Sequence, residues 1–115
     1  MYCLRKTREF KQVYSRGKYA ADSLFVVYAL ANETDKTRLG ISASKKVGNA
    51  VVRNRVKRWV KESYRSHKVA VGYDLVIVAR VPAGQLPKDG AFQKVSGSIN
   101  RLFRKLGISA DGDVS

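Results

Sequence analysis

One amphipathic segment, from Asn49 to about Arg65, constrains the fold more than any other part of this sequence. Gly48 permits a tight turn before it, and the side chain of Asn49 is a good N-terminal cap for a helix. At about 100° per residue, one side of that helix is apolar and the other is basic. The apolar side carries Val52, Val56, Trp59 and Val60. Such a stripe needs an apolar partner, so we expect the helix to pack into a domain, with Trp59 as a core anchor rather than a platform for a base.

The remaining periodicity predicts two further helices and three strands. The helices cover residues 7–16 and about 89–106, and the strands cover residues 24–30, 37–43 and 73–81. A polar turn at residues 32–36 predicts that the second strand returns antiparallel to the first, and Ala83-Gly84 with Pro87 are expected to break the chain before the last helix. The order helix, strand, strand, helix, strand, helix predicts a single α+β domain, a sandwich in which a sheet is covered by helices. We expect an ordered core over about 4–106 and a mobile tail over 107–115.

The charge balance limits the possible partners. The 115 residues include 23 Lys plus Arg against 9 Asp plus Glu, for a formal net charge of +14. Hydrophobic residues make up 44% of the chain, which is enough for a globular core and argues against a disordered chain. A compact domain with so much positive charge repels itself, and a polyanion is the natural way to neutralise it. Nucleic acid is the first candidate and an anionic membrane surface is the second.

The sequence predicts a cytoplasmic protein without a membrane span. Cys3 is the single cysteine, so no internal disulfide or multi-cysteine zinc site can form, and a free thiol suits a reducing compartment. No apolar run reaches 18 residues, and the first residues lack the apolar stretch of a signal peptide.

Between residues 45 and 68, basic side chains greatly outnumber acidic ones. Like charges four residues apart, such as Lys57 and Lys61, disfavour a helix, so the imbalance indicates a compensating function. Phosphate binding is the strongest candidate, because an arginine fork can grip a phosphate or a base edge with two hydrogen bonds. From charge alone, a solvated basic face is the alternative. The basic residues are Lys45, Lys46, Arg53, Arg55, Lys57, Arg58, Lys61, Arg65 and Lys68, and the acid is Glu62.

The chain shows no arrangement typical of a nuclease active site. A metal-dependent nuclease needs converging carboxylates, and a metal-free one usually needs histidines. The acids are single except in Glu33-Thr-Asp35 and Asp111-Gly-Asp113, and the one histidine, His67, is expected to be a solvated residue at the end of the basic helix. We therefore predict no catalytic residue, no metal site and no bound cofactor in the polypeptide itself.

The sequence resembles the protein component of bacterial ribonuclease P at a lysine pair, a glycine and an Arg-Asn-Arg signature. These motifs lie in the run Ser44-Lys-Lys-Val-Gly-Asn-Ala-Val-Val-Arg-Asn-Arg-Val-Lys-Arg58. The resemblance continues upstream through Phe10-Lys-Gln-Val-Tyr14 and Phe25-Val-Val-Tyr28 and downstream through Asp74-Leu-Val-Ile-Val-Ala-Arg80. It covers roughly residues 4 to 106.

The resemblance implies a subunit of an endoribonuclease that cuts precursor tRNA to form the mature 5′ end. In that family the RNA subunit holds the catalytic core and the Mg²⁺ ions, while the protein binds this RNA and the single-stranded 5′ leader of precursor tRNA. The resemblance also implies a left-handed crossover around the basic helix, against the usual right-handed rule. A ribosomal or other structural RNA-binding protein is the alternative function, and a DNA-binding or membrane-surface module is the third.

The resemblance further implies roles for individual residues. The leader would lie in a cleft between the first helix and the sheet, lined by Phe10, Tyr14 and Tyr28. Single-stranded RNA is commonly held by stacking on aromatic side chains beside a basic groove, although core packing of Phe10 and Tyr14 is an equally open alternative. The residues expected at the RNA subunit are Lys45, Lys46, Arg53, Asn54, Arg55, Lys57, Arg58, Lys61 and Arg65.

Overall fold

The computed structural model describes residues 2–109. The strands are β1 (Tyr2–Cys3), β2 (Lys18–Ala21), β3 (Phe25–Ala31), β4 (Arg38–Ser42) and β5 (Tyr73–Ala79). The helices are α1 (Thr7–Arg16), α2 (Ala50–Ser66), α3 (Val81–Gly84) and α4 (Ala91–Leu106), and a short 3-10 turn (Lys45–Val47) precedes α2. The predicted helices and strands are all present, with ends that differ by a few residues.

The strands form one sheet in the order β1-β4-β5-β3-β2. β3 pairs antiparallel with β2 and β5, whereas β4 pairs parallel with β5 and β1. Leu75, Val76 and Ile77 of β5 are fully buried, and a strand that is buried on both faces belongs in the centre of a sheet. β4 runs antiparallel to β3, as predicted, but the two strands are not neighbours, because β5 lies between them.

The connection from β4 to β5 contains α2, so the basic helix is the crossover of a parallel βαβ unit. The resemblance implied such a crossover, and its left hand stays a prediction. The crossover places α2 across one face of the sheet, where its apolar stripe reaches the core.

Helices cover the two faces of the sheet unequally. α2 and α4 pack on one face, over the main core that contains Phe25 and Phe103. On the other face lies α1, whose buried residue is Val13. Beside α1, the side chains of Tyr28 and Leu30 on β3 are only half-buried. The predicted α+β sandwich is confirmed, and α1 leaves part of its face of the sheet open.

The start of α2 follows the sequence prediction. The N–H of Val52 donates to Asn49 Oδ1 over 3.0 Å, which caps the helix. Gly48 has a φ of 158°, and a Cβ there would lie 2.6 Å from Val52 Cγ1, so the turn before α2 requires glycine. Val56 is fully buried and Trp59 packs half-buried against the same core. The apolar stripe therefore anchors α2, as predicted.

The short elements were not predicted from the sequence. β1 and β2 are strands of two and four residues at the sheet edges, too short for a period of two to be recognised. Residues Val81–Gly84 form a helical turn with Pro82 at its start, where proline is favoured, and the predicted break before the last helix follows it at residues 85–90. Because this helical turn begins at Val81, β5 ends at Ala79 and not at Val81 as predicted.

The predicted tail begins too early. Ile108 is fully buried, and its carbonyl oxygen accepts the N–H of Ala70 over 2.8 Å. Ser109 forms a bridge to Val69. The side chain of Ile108, directly after the Gly107 that ends α4, is thus part of the core. The rest of the predicted tail, residues 110–115, lies outside the described residues.

A half-buried carboxylate ties the turn between β2 and β3 to α4. Asp22 Oδ1 accepts the N–H groups of Leu24 and Phe25 over 2.8 Å and 3.0 Å. Its Oδ2 accepts the Ser98 hydroxyl and lies 3.6 Å from Arg101 Nη2. Burial by itself would raise the pKa of Asp22, but these hydrogen bonds outweigh it and hold the pKa below its ordinary value.

We expect Asp22→Asn to lower the free energy of unfolding by about 1–2 kcal/mol near neutral pH, because hydrogen bonds to a charged acceptor are lost at a partly exposed site. A carboxyl with a lowered folded-state pKa stabilises the fold above its unfolded pKa of about 3.9, and this contribution is lost as pH falls through the folded pKa. Urea unfolding near neutral pH and at about pH 2.5 should therefore show the difference between wild type and variant shrinking in acid. An equal difference at both pH values would show that the charge of Asp22 has no part in it.

Candidate nucleic-acid interface

The outward side of α2 is a continuous basic surface. A groove of about 480 Å³ runs along it, lined by Asn54, Lys57, Arg58, Lys61, Glu62 and Arg65. Within residues 2–109, the salt bridge from Arg65 to Glu62, 3.3 Å long, is the only one that α2 makes. The first turn of α2 contains no acidic residue, so the positive end of the helix dipole adds to the charge of the side chains. This surface therefore presents positive charge that the described part of the protein does not neutralise.

Arg53 and Arg55 lie half-buried at the edges of that surface. The Nε atom of each is buried and finds no acceptor among residues 2–109. The guanidinium carbon of Arg55 lies over the Trp59 ring, 5.5 Å from its centroid, which is within the range of a cation–π contact. This contact places the charge of Arg55 beside the indole.

Lys45 and Lys46 are exposed on the 3-10 turn before α2. The turn is supported by Gly84 of α3, where a Cβ would lie only 2.1 Å from the carbonyl oxygen of Val47. The structure thus brings all nine residues predicted to contact the RNA subunit onto one helix and the turn that leads into it. Their roles stay predictions.

An aromatic cluster lies on the opposite face of the sheet. The rings of Tyr14 on α1 and Tyr28 on β3 meet edge to face, with centroids 4.9 Å apart, and the Phe10 ring lies 6.4 Å from that of Tyr14. Tyr19 of β2 pairs with Tyr28 across the strands, and their rings are 5.6 Å apart. Tyr14 is 39% exposed and Tyr19 is 66% exposed. The cluster therefore offers aromatic surface to solvent.

The aromatic residues of this cluster differ in how far they are buried in the core. Phe10 is half-buried and rests on Gly40, where a Cβ would lie 2.6 Å from Phe10 Cζ. It packs with Leu4 and Val13 and so belongs to the core as well as to the rim of the cleft. Sequence reasoning missed Tyr19, because β2 was not recognised. The one signal that could have found it was its place directly after Gly17-Lys18, within the stretch that resembles the family.

A smaller pocket joins the two surfaces. About 190 Å³ in volume, it is lined by Phe10 and Gly40 on the α1 side and by Lys57 and Lys61 of α2. Cys3 of β1, an exposed thiol, also lines it. The basic surface and the aromatic cluster are thus connected around the β1 edge of the sheet.

The carboxylates of Glu9 and Asp74 are held in structural contacts. Arg38 donates to both oxygens of Asp74, from Nε over 2.9 Å and from Nη2 over 2.6 Å, and to Glu9 over 2.8 Å. The N–H groups of Lys6 and Arg5 and then the Arg38 charge hold the pKa of Glu9 below its ordinary value. Within residues 2–109, no group of three or more His, Cys, Asp and Glu side chains could hold a metal ion.

His67 is not the solvated residue that we predicted. It is half-buried at the end of α2, with Nδ1 2.7 Å from the carbonyl oxygen of Ser63 and its ring packed edge-on against Phe103. A polar side chain at a helix end satisfies carbonyl groups that have no partner in the helix, which is a structural role.

In the described part of the chain, no helix is both long and apolar enough to cross a membrane. Together, the α+β fold, a basic helix whose charge is not balanced and an exposed aromatic cluster define a protein that binds RNA.

The comparisons with known proteins agree on one family. The family model described as Ribonuclease P matches residues 1–107. The chain is 44% identical over 109 residues to the ribonuclease P protein component of Clostridioides difficile, covering 92% of both chains. It is 44% identical over 110 residues to the same component of Exiguobacterium sibiricum, covering 93% of this chain and 91% of the relative. The chain belongs to the ribonuclease P protein family.

Solved structures support the same assignment. The RNase P protein of Staphylococcus aureus superposes with a TM-score of 0.81 at 34% identity, covering 95% of this chain and 98% of that one. The RNase P protein of Thermotoga maritima gives a TM-score of 0.79 at 31% identity, covering 91% and 97%. The predictions of the family, of RNA binding and of a part in a ribonuclease complex are confirmed, and the ribosomal alternative is not supported.

Proposed function

We propose that the outward side of α2 binds the RNA subunit of ribonuclease P, while the α1 side of the sheet binds the 5′ leader of precursor tRNA. The observation that carries the first half is the basic surface, on which α2 makes a single salt bridge within residues 2–109. Charge left unbalanced on one helix face costs stability until a polyanion neutralises it. Arg53 and Arg55 supply planar forks, and Lys57, Lys61 and Arg65 supply further charge for phosphates.

The exposed aromatic cluster supports the second half of the proposal. Tyr14, Tyr19 and Tyr28 form a connected series of rings on a face of the sheet that α1 covers only in part. Bases of a single strand stack on such rings with little dependence on sequence, which suits a leader of variable sequence.

We place the hydrolytic chemistry and the Mg²⁺ ions in the RNA subunit. In this chain Glu9 and Asp74 are held by Arg38, and Asp22 is held by Ser98 and backbone N–H groups, so these carboxylates have structural partners. The protein would contribute positive charge where two polyanions meet, and so lower the Mg²⁺ concentration that the reaction needs. The complex would act in the cytoplasm, where the exposed Cys3 would stay reduced.

Reconstitution is the direct test of this function. The full chain is combined with a bacterial ribonuclease P RNA at low Mg²⁺ concentration, and the cut site in precursor tRNA is mapped. The proposal requires accurate 5′ cleavage that the RNA alone does not sustain under these conditions. Tight RNA binding without any stimulation of cleavage would instead favour a structural RNA-binding protein.

A second experiment tests the leader cleft. We expect Tyr14→Ala and Tyr19→Ala each to weaken the affinity of the complex for precursor tRNA by about 1–3 kcal/mol, because each removes a surface on which a base stacks. Affinity for mature tRNA, which lacks the leader, and for the RNA subunit should change little. Equilibrium binding with labelled tRNA measures all three affinities.

Tyr2→Ala is the matched control for this experiment. Tyr2 is also an exposed tyrosine, 53% accessible, but it lies on β1 at the other edge of the sheet. Its loss should leave the affinity for precursor tRNA unchanged. If Tyr14→Ala and Tyr19→Ala lower the affinity for precursor tRNA and the affinity for mature tRNA equally, the cluster does not bind the leader.

A further inference from the structure

A second concave surface lies on α2, away from the cleft, and its lining is unlike that of the basic groove. This pocket has a volume of about 530 Å³. Its lining residues are Val51, Asn54, Arg55, Arg58 and Trp59 of α2 and Lys88 of the loop before α4. The pocket combines an aromatic ring, an aliphatic side chain, an amide and three cations, with no acid among its lining residues.

Trp59 has two environments. One part of the indole packs against the main core, which accounts for the prediction that it anchors α2. The rest lines the pocket, where the guanidinium carbon of Arg55 lies over the ring, 5.5 Å from its centroid. Core packing alone therefore does not account for the whole side chain.

Two features of the pocket are unsatisfied in the protein alone. Val51 is 70% exposed, an apolar side chain left facing solvent on the most basic helix of the chain. The Nε–H of Arg55 is buried and has no acceptor among residues 2–109. A buried hydrogen-bond donor without an acceptor lowers the stability of the fold, and it indicates that a binding partner can supply the acceptor. A ligand that covers Val51 and accepts from the terminal N–H groups of Arg55, which are not among the buried atoms, would engage both residues.

We propose that this pocket receives one unpaired nucleotide of the RNA subunit, with its base stacked against the Arg55–Trp59 pair. An unpaired base has a flat apolar surface that can stack on the Arg55–Trp59 pair and cover Val51. Its polar edge can bond the amide of Asn54, which both donates and accepts. Arg58 and Lys88 lie where the flanking phosphates would be neutralised. This inference rests on the proposed binding of the RNA subunit by α2 and adds a base-accepting site to that contact.

Substitution of Trp59 separates stacking from charge. We expect Trp59→Leu, which keeps an apolar side chain for the core, to weaken binding of a bacterial ribonuclease P RNA by about 5- to 150-fold, the loss expected for one base–aromatic stack. The slope of log affinity against log salt should stay that of the wild type, because no charge is removed. Trp59→Phe keeps a ring and should lose less. A folded Trp59→Leu variant that binds the RNA like the wild type would overturn the inference.

Lys88→Ala supplies the matched charge variant. Lys88 is exposed and lies outside α2, so its loss should leave the fold intact. Removal of one phosphate contact should reduce the salt slope by about 0.7 to 0.9. The two variants should therefore differ: Trp59→Leu should lower the affinity without changing the salt slope, whereas Lys88→Ala should reduce the salt slope. A wild-type salt slope for Lys88→Ala would show that Lys88 does not neutralise a flanking phosphate.

The unaltered protein offers a readout that does not depend on a variant that folds. Trp59 is the single tryptophan, so its fluorescence reports on this pocket alone. We expect stoichiometric ribonuclease P RNA to quench its emission and to reduce its accessibility to acrylamide, a neutral quencher that the charge of the RNA does not repel. Failure of the RNA to bind at all would refute the proposed function. Tight binding with emission and acrylamide access unchanged would refute only the base-accepting pocket.

Discussion

Purified protein freed of RNA is expected to leave precursor tRNA uncut at every Mg²⁺ concentration. The three carboxylates best held by the fold, Glu9, Asp22 and Asp74, are bonded to Arg38, Ser98 or backbone N–H groups, so they are not poised to bind metal or to activate water. Addition of a bacterial ribonuclease P RNA should restore accurate 5′ cleavage. Gel analysis of end-labelled precursor tRNA measures the difference between no reaction and complete conversion.

His67 provides the critical variant for this prediction. Its Nδ1 contacts the Ser63 carbonyl oxygen at the end of α2, so His67→Ala should cost some stability and leave the cleavage step unchanged when the complex is saturating. Specific 5′ cleavage by protein rigorously freed of RNA would place a catalytic site in the chain. So would abolition of cleavage in a folded His67→Ala variant.

The double change Arg53→Ala and Arg55→Ala is expected to have the largest effect on binding of the RNA subunit. Each arginine can form charge-assisted hydrogen bonds of about 1.5–3 kcal/mol with a phosphate, so affinity should fall by at least about 100-fold. The salt slope should decrease by about 1.4 to 1.8 for two lost phosphate contacts. Filter binding or fluorescence anisotropy across a series of salt concentrations measures both quantities, and circular dichroism checks that α2 is intact.

Replacement of the same two residues by lysine is the matched control. Arg53→Lys with Arg55→Lys keeps both charges and should keep most of the salt slope, while the loss of the planar forks lowers affinity. The pair Arg104→Ala and Lys105→Ala removes two charges from exposed positions on α4 and should change the slope less. A folded alanine double variant with the wild-type slope would remove both arginines from the RNA interface.

Local sequence patterns were sufficient to predict α1 and α2. Helix caps and helical periodicity involve residues that are one to four positions apart in the chain. The signals for α2 are of this kind: the glycine and asparagine before it, its valine stripe and its excess of basic side chains. Both ends of α1 were predicted correctly for the same reason. The lysine pair, the glycine and the Arg-Asn-Arg signature then indicated the family, which the comparisons confirm.

Local patterns could not determine which strands are neighbours. The polar turn between β3 and β4 predicted that β4 runs antiparallel to β3, which it does, but it did not predict which strand β4 pairs with. The fold places β5 between them, because its side chains are apolar on both faces and the centre of the sheet is where both faces are covered. Burial of Ile108 is a similar case, since its partner Ala70 is distant in the sequence.

By itself, the sequence determined that a basic helix with an apolar stripe packs into an α+β domain. Only the tertiary structure decided which aromatic and basic side chains come together. Tyr19 joins Tyr28 because β2 pairs with β3, and Lys88 joins Arg55 and Trp59 because the loop before α4 passes close to α2. Such contacts link residues far apart in the chain, and their formation depends on how whole elements pack, which no short stretch of sequence encodes.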